Sequence, residues 1–167
     1  MVNRRDLFST VLAAIGSATM ADGAKAGNPQ DIALNLYWSA PSNDYATVTP
    51  QQSNLGPDYQ PISVEGYIWL VQRPDTLPLR LYWSAARGDY ATVASPQSSL
   101  TLQNAGYQLL SIMGYIYATQ RPGTVPLRLY WSAARGDYAT VASPQNGLNL
   151  QNAGYRPLRR EGYVFPP

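Results

Sequence analysis

Apolar and polar positions alternate along three short runs of the chain. In Leu79-Arg80-Leu81-Tyr82-Trp83-Ser84, Leu79, Leu81 and Trp83 fall on one face and Arg80 and Tyr82 on the other. That is the period of a half-buried strand. Ala86-Arg87-Gly88-Asp89 then reads as a turn and Tyr90-Ala91-Thr92-Val93-Ala94 as a returning strand, so the pattern predicts a hairpin with Gly88 supplying the positive φ. Ser95-Pro96-Gln97 reads as a helix start, with Ser95 as N-cap and Pro96 in the first turn. The helix runs to Asn104, with Gly106 as its stop. A last strand is expected around Gly114-Tyr115-Ile116-Tyr117-Ala118.

This pattern occurs three times. The twenty residues from Pro78 to Gln97 are repeated without change from Pro126 to Gln145, and a drifted copy begins at Leu34. The Tyr-Trp-Ser triplets start at Tyr37, Tyr82 and Tyr130, whereas Gly-Tyr pairs recur at Gly66, Gly114 and Gly162. The first spacing is therefore three residues short, which places a deletion in the first unit between Val48 and Tyr59. The expected organisation is a signal segment over 1–26, a linker over 27–33, and one domain over 34–167 with units of about 34–77, 78–125 and 126–167. A single unit buries too little to fold alone. The fold class is mainly β with short helices: three pseudo-symmetric hairpin, short helix and strand repeats. The third Gly-Tyr strand has no following unit to pair with, so Leu34–Trp38 is its expected partner. That pairing would close the body into a β-trefoil-like or small propeller-like ring without an open edge. An open row of three units is the alternative.

Composition narrows the chemistry. The chain has 167 residues and neither Cys nor His. Disulfides, thiolate nucleophiles, Cys/His zinc sites and imidazole-based triads are thereby excluded. The start, Asn3-Arg4-Arg5-Asp6-Leu7-Phe8, followed by an apolar stretch and Ala24-Lys25-Ala26, resembles a twin-arginine export signal. The localisation expected is therefore exported, periplasmic or extracellular, with no transmembrane segment in the mature chain. Removing Arg4, Arg5 and Lys25 from 12 basic residues leaves 9, and removing Asp6 and Asp22 from 10 acidic ones leaves 8. A balance near +1 argues against a nucleic-acid partner.

Candidate site residues gather at the hairpin tips. Asp44, Asp89 and Asp137 stand one per unit, each followed by a tyrosine: Tyr45, Tyr90 and Tyr138. They read either as ligand contacts or as turn residues that bond nearby backbone N–H groups. Threefold placement would hold them apart around a ring, which disfavours a catalytic pair, so no enzyme activity is expected. One carboxylate per unit likewise gives no metal site, and no cofactor is expected. Arg87 and Arg135 precede Gly-Asp, but as an integrin-binding tripeptide these three letters are a weak signal. Tyr37, Tyr82 and Tyr130 are expected at the surface by alternation, with the tryptophans filling the core. Flat rings beside Asp and Arg suit a sugar. The function expected is a lectin-like binding module for carbohydrate or a cell-envelope polymer. The alternative is a structural or protein-interaction module with an exported protein partner.

Leu79-Arg80-Leu81-Tyr82, Gly88-Asp89, Ala105-Gly106-Tyr107 and Glu161-Gly162-Tyr163 resemble the motifs of the DUF5648 repeat family over about residues 34–165. The resemblance implies a secreted accessory or binding module, often appended to exported hydrolases. The chain departs from that pattern at Tyr90-Ala91-Thr92-Val93, where the family carries His-Phe-Tyr-Thr.

Overall fold

The computed structural model describes residues 31–167. The segment read as an export signal lies outside the described residues. The described residues form nine strands, two helices and a short 3-10 turn. β1 (Asp31–Ser39), β2 (Asp44–Val48) and β3 (Tyr59–Trp69) are followed by β4 (Thr76–Ser84), β5 (Asp89–Val93), α1 (Pro96–Asn104) and β6 (Gln108–Tyr117). Then come β7 (Val125–Ser132), β8 (Asp137–Val141), α2 (Pro144–Asn152) and β9 (Arg156–Val164). The 3-10 turn, Pro50–Gln52, stands where the later units have a helix. The three-residue deletion is what removes that helix. Among the described residues no helix is long and apolar enough to cross a membrane.

All strand pairing is antiparallel. β1 lies between β2 and β3, β4 between β5 and β6, and β7 between β8 and β9. This corrects the expected pairing. β9 spends its hydrogen bonds on β7 of its own unit, so it is not left to seek β1. The sheet is not closed. Between units the long strands meet at single residue pairs, Trp69 with Tyr115, Tyr117 with Tyr163, and an isolated bridge of Tyr67 with Phe165. At these crossings a Cβ on Gly66, Gly114 or Gly162 would lie 2.5–2.6 Å from the backbone oxygen of Phe165, Trp69 or Tyr117. No side chain fits there, which is why Gly recurs before Tyr.

Each long strand carries two register shifts against its partner, as between Leu79 and Arg80 and between Leu81 and Tyr82. The extra residues, Met113 and Leu110 in the second unit, belong to β6, so it is β6 that bulges against a regular β4. β4 and β7 keep their alternation, but both of their faces are covered: Leu81 and Tyr82 are buried in different core clusters, as are Leu129 and Tyr130. The expectation that Tyr82 and Tyr130 reach the surface is corrected for that reason. Trp38, Trp83 and Trp131, expected in the core, are instead half-buried. The largest core cluster is aliphatic, built on Leu34, Leu79, Leu127, Ile68, Ile116 and Val164, and two smaller ones are built around Tyr82 and Tyr107 and around Tyr130 and Tyr155.

Two sets of hydrogen bonds lock the units together. The Thr47 hydroxyl donates to the Thr140 carbonyl (2.6 Å), Thr140 to Thr92 (2.6 Å) and Thr92 to Thr47 (2.5 Å), a cycle through β2, β8 and β5. Glu65, buried, accepts from the backbone N–H groups of Ala142 (2.7 Å) and Ser143 (2.8 Å) at the start of α2. Glu161 does the same for Ala94 (2.9 Å) and Ser95 (2.7 Å) ahead of α1, and takes the Ser98 hydroxyl at 2.6 Å. Each glutamate therefore satisfies orphan donors at a helix N-terminus of another unit. The second unit has Met113 at this position, beside Gln51 and Gln52. Its counterpart start is Thr49-Pro50, and Pro50 has no N–H to offer. The acid is absent where one of its two donors is absent.

Candidate functional site

Asp44, Asp89 and Asp137 open β2, β5 and β8, directly after each hairpin turn. These three strands pack against one another. The aspartates therefore converge. One carboxylate oxygen from each lies within 4.8 Å of the other two. The expectation that threefold placement keeps them apart is corrected, because the short strands of the hairpins lie innermost. The expectation of exposed ligand contacts fails for the same three residues, which are 1%, 1% and 2% exposed. Each carboxylate accepts a hydrogen bond from a tyrosine hydroxyl at the start of its unit's last strand: Tyr59 to Asp44, Tyr107 to Asp89, Tyr155 to Asp137.

Burial raises the pKa of all three aspartates, and neighbouring carboxylates raise Asp89 and Asp137 further; the hydrogen bonds from the tyrosine hydroxyls act the other way. Tyr59, Tyr107 and Tyr155 are themselves held far above the usual phenol range, first by burial and then by the carboxylates they bond. Asp44 Oδ1 and Asp137 Oδ1 are buried without a hydrogen-bond partner. Oxygen atoms this close could surround one hard cation, whose oxygen ligands sit about 2.3–2.6 Å from the ion. They can equally satisfy one another by sharing protons, which the raised pKa values favour.

Above the carboxylates, the same end of the molecule carries a collar of rings. Trp38 stacks on Tyr45, Trp83 on Tyr90 and Trp131 on Tyr138, each with centroids 4.4 Å apart and planes tilted 40–41°. A tyrosine from the preceding unit meets each pair edge-on, Tyr155 to Tyr45, Tyr59 to Tyr90 and Tyr107 to Tyr138, at 5.8–5.9 Å. Arg87 lies over Trp131 at 5.4 Å and Tyr107 at 5.9 Å. Arg135 lies over Trp38 at 5.5 Å and Tyr155 at 5.6 Å, and donates to Asn43 Oδ1 at 2.7 Å.

The site residues read from sequence thus divide. Tyr45, Tyr90, Tyr138, Arg87 and Arg135 are brought together in the collar. Asp44, Asp89 and Asp137 lie under it. Tyr82 and Tyr130 are not at the site: both are buried, Tyr82 in the cluster of Leu102 and Tyr130 in that of Leu150. Tyr37 is half-buried against the aliphatic core. Sequence reasoning missed the three tryptophans as site residues and also Tyr59, Tyr107 and Tyr155. A signal was present for the last three. Tyr107 and Tyr155 each follow their aspartate by 18 residues, and Tyr59 follows Asp44 by 15, short by the deletion. No family model, no curated protein and no solved structure matches this chain.

Proposed function

We propose that the protein is an exported, non-enzymatic, lectin-like binding module that recognises a carbohydrate or cell-envelope polymer through the collar end. The observation that carries this reading is the half-buried tryptophan row, Trp38, Trp83 and Trp131, set beside guanidinium groups at one end of the molecule. Half-buried rings suit the C–H faces of a sugar, and guanidinium edges suit its hydroxyls. The contacts are then Tyr45, Tyr90, Tyr138, Arg87 and Arg135 with the tryptophans. The aspartates serve them from beneath by fixing the edge-on tyrosines. The resemblance to the DUF5648 repeat family and the twin-arginine-type start support an exported accessory role. We read the body as a three-unit, trefoil-like arrangement, held together by the Thr hydroxyl cycle in place of a closed sheet.

A glycan array and binding to cell-wall fractions test the reading. Binding that falls at least about tenfold in Trp83→Ala and Arg87→Ala supports it. Failure to bind any glycan or wall fraction overturns it. A second reading, a protein-interaction module, is favoured by one observation. Two of the three ring clusters already hold an arginine side chain, a protein group.

A further inference from the structure

The collar is threefold in its rings but not in its cations. Arg87 and Arg135 occupy the position four residues after a Tyr-Trp-Ser tryptophan, and the first unit has Ser42 there. Each arginine reaches across to the next unit's tryptophan. The missing one would lie over Trp83 and Tyr59. Among the described residues no guanidinium is placed over the Trp83, Tyr90 or Tyr59 rings. The ring geometry is nevertheless the same as at the two filled clusters, 4.4 Å and 41° for the stacked pair and 5.9 Å and 76° for the edge-on tyrosine.

Three further observations agree. A Cβ on Gly136 would have the Arg87 Nη1 at 3.9 Å, whereas one on the equivalent Gly88 would have nothing within 4 Å. Tyr138 and Tyr45 each feel an arginine that opposes the rise due to burial; Tyr90 is raised by burial and Asp44, with no cation opposing. And Tyr59 is preceded by the exposed Asp58, where Tyr107 and Tyr155 are preceded by Gly106 and Gly154. The cluster that lacks a cation of its own has gained an acid.

We propose that Trp83, Tyr90 and Tyr59, with the exposed Asp58 next to Tyr59 in the chain, form a receptor for an arginine side chain presented by a partner protein. The proposal rests on the protein-interaction reading above. The two filled clusters show what such a site takes: a planar guanidinium lying across an indole and a phenol. The carboxylate of Asp58 adds a charged acceptor for the guanidinium N–H fork, where Arg135 has the neutral Asn43 Oδ1. A lysine ammonium can use the charge but not the stacking.

The test uses the full chain and N-acetyl-arginine amide as probe, followed by the indole N–H signals of the tryptophans and by calorimetry. The expected result is one saturable site, weak because a single side chain is offered, with one indole signal moving. Ser42→Arg rebuilds the internal ligand on an exposed turn and should weaken probe binding at least about tenfold. Arg87→Ser opens the Trp131 cluster and should raise the stoichiometry from one to two. Asp58→Asn should weaken binding about threefold or more. No saturable binding overturns the proposal, as does equal binding by Ser42→Arg or equal binding of N-acetyl-lysine amide. A chain that binds glycan but not the arginine probe loses this proposal and keeps the lectin-like reading. One that binds the probe and no glycan does the reverse.

Discussion

Three carboxylates sealed from water cannot all carry charge without a large electrostatic cost. Without a cation among them the cost is met by protonation, with Asp89 raised to about 8 and Asp137 to about 11, first by burial. A folded-state pKa above the unfolded value of about 4 contributes stability that is complete below pH 4 and lost as pH rises through the folded values. Cation-free protein should therefore lose stability steadily from about pH 4 through pH 8 and beyond. The urea midpoint measured between pH 4 and pH 9 checks this. Asp137→Asn keeps the shape and an acceptor for Tyr155 while removing one ionisable group. It should flatten the pH profile and stabilise the fold at pH 8 by on the order of 1–3 kcal/mol. A wild-type midpoint that rises with pH would contradict the shared-proton account. At this scale the sequence was only partly legible. It marked Asp44, Asp89 and Asp137 as special, but not that they touch. Convergence depends on which strand of each hairpin lies innermost, and no local pattern encodes that.

The elements were more legible, because their signals are local. Gly88 at φ 66° turns the second hairpin, and Asn43 at φ 55° does the same work in the first, as Asn tolerates that region. Ser95-Pro96 starts α1 where the pattern placed it. The helix caps were only partly legible: Ser143 accepts from the Asn146 N–H at 3.3 Å as a serine N-cap does, but the glutamates that hold both helix starts come from another unit. Ser95 makes no capping bond through its side chain; Glu161 holds that helix start instead. Glu161→Ala should leave three buried or half-buried donors unmet and cost about 2–4 kcal/mol, read from denaturant unfolding. Amide exchange should speed most at Ala94, Ser95 and the first turn of α1. The converse substitution, Met113→Glu, sets a carboxylate against Pro50 and the 3-10 turn, where the paired donors do not exist. It should destabilise by at least about 2 kcal/mol. If Met113→Glu were neutral, the absence of the acid from the second unit would have some other cause than the proline.

For the whole molecule, the question is whether three similar units behave as three or as one. A row of stacked repeats contacts only its neighbours and loses stability piece by piece. Here the Thr47, Thr92 and Thr140 cycle, the Asp–Tyr cluster and the edge-on tyrosines each draw on all three units. Unfolding should be a single transition, with calorimetric and van't Hoff enthalpies equal. A chain ended at Gly123, without the third unit, should show no cooperative transition at all; a residual sharp transition would indicate independent units. The closed sheet expected from sequence was the right intuition about edges applied to the wrong bonds. β9 does not lack a partner, because β7 of its own unit supplies one.

The glutamate latches also have a direction. Glu65 reaches forward along the chain to α2, whereas Glu161 reaches back to α1, which precedes it by more than sixty residues. During synthesis on the ribosome, α1 therefore emerges long before its anchor exists. The middle of the protein waits for the last strand, and a nascent chain gains its native order in one late step rather than unit by unit.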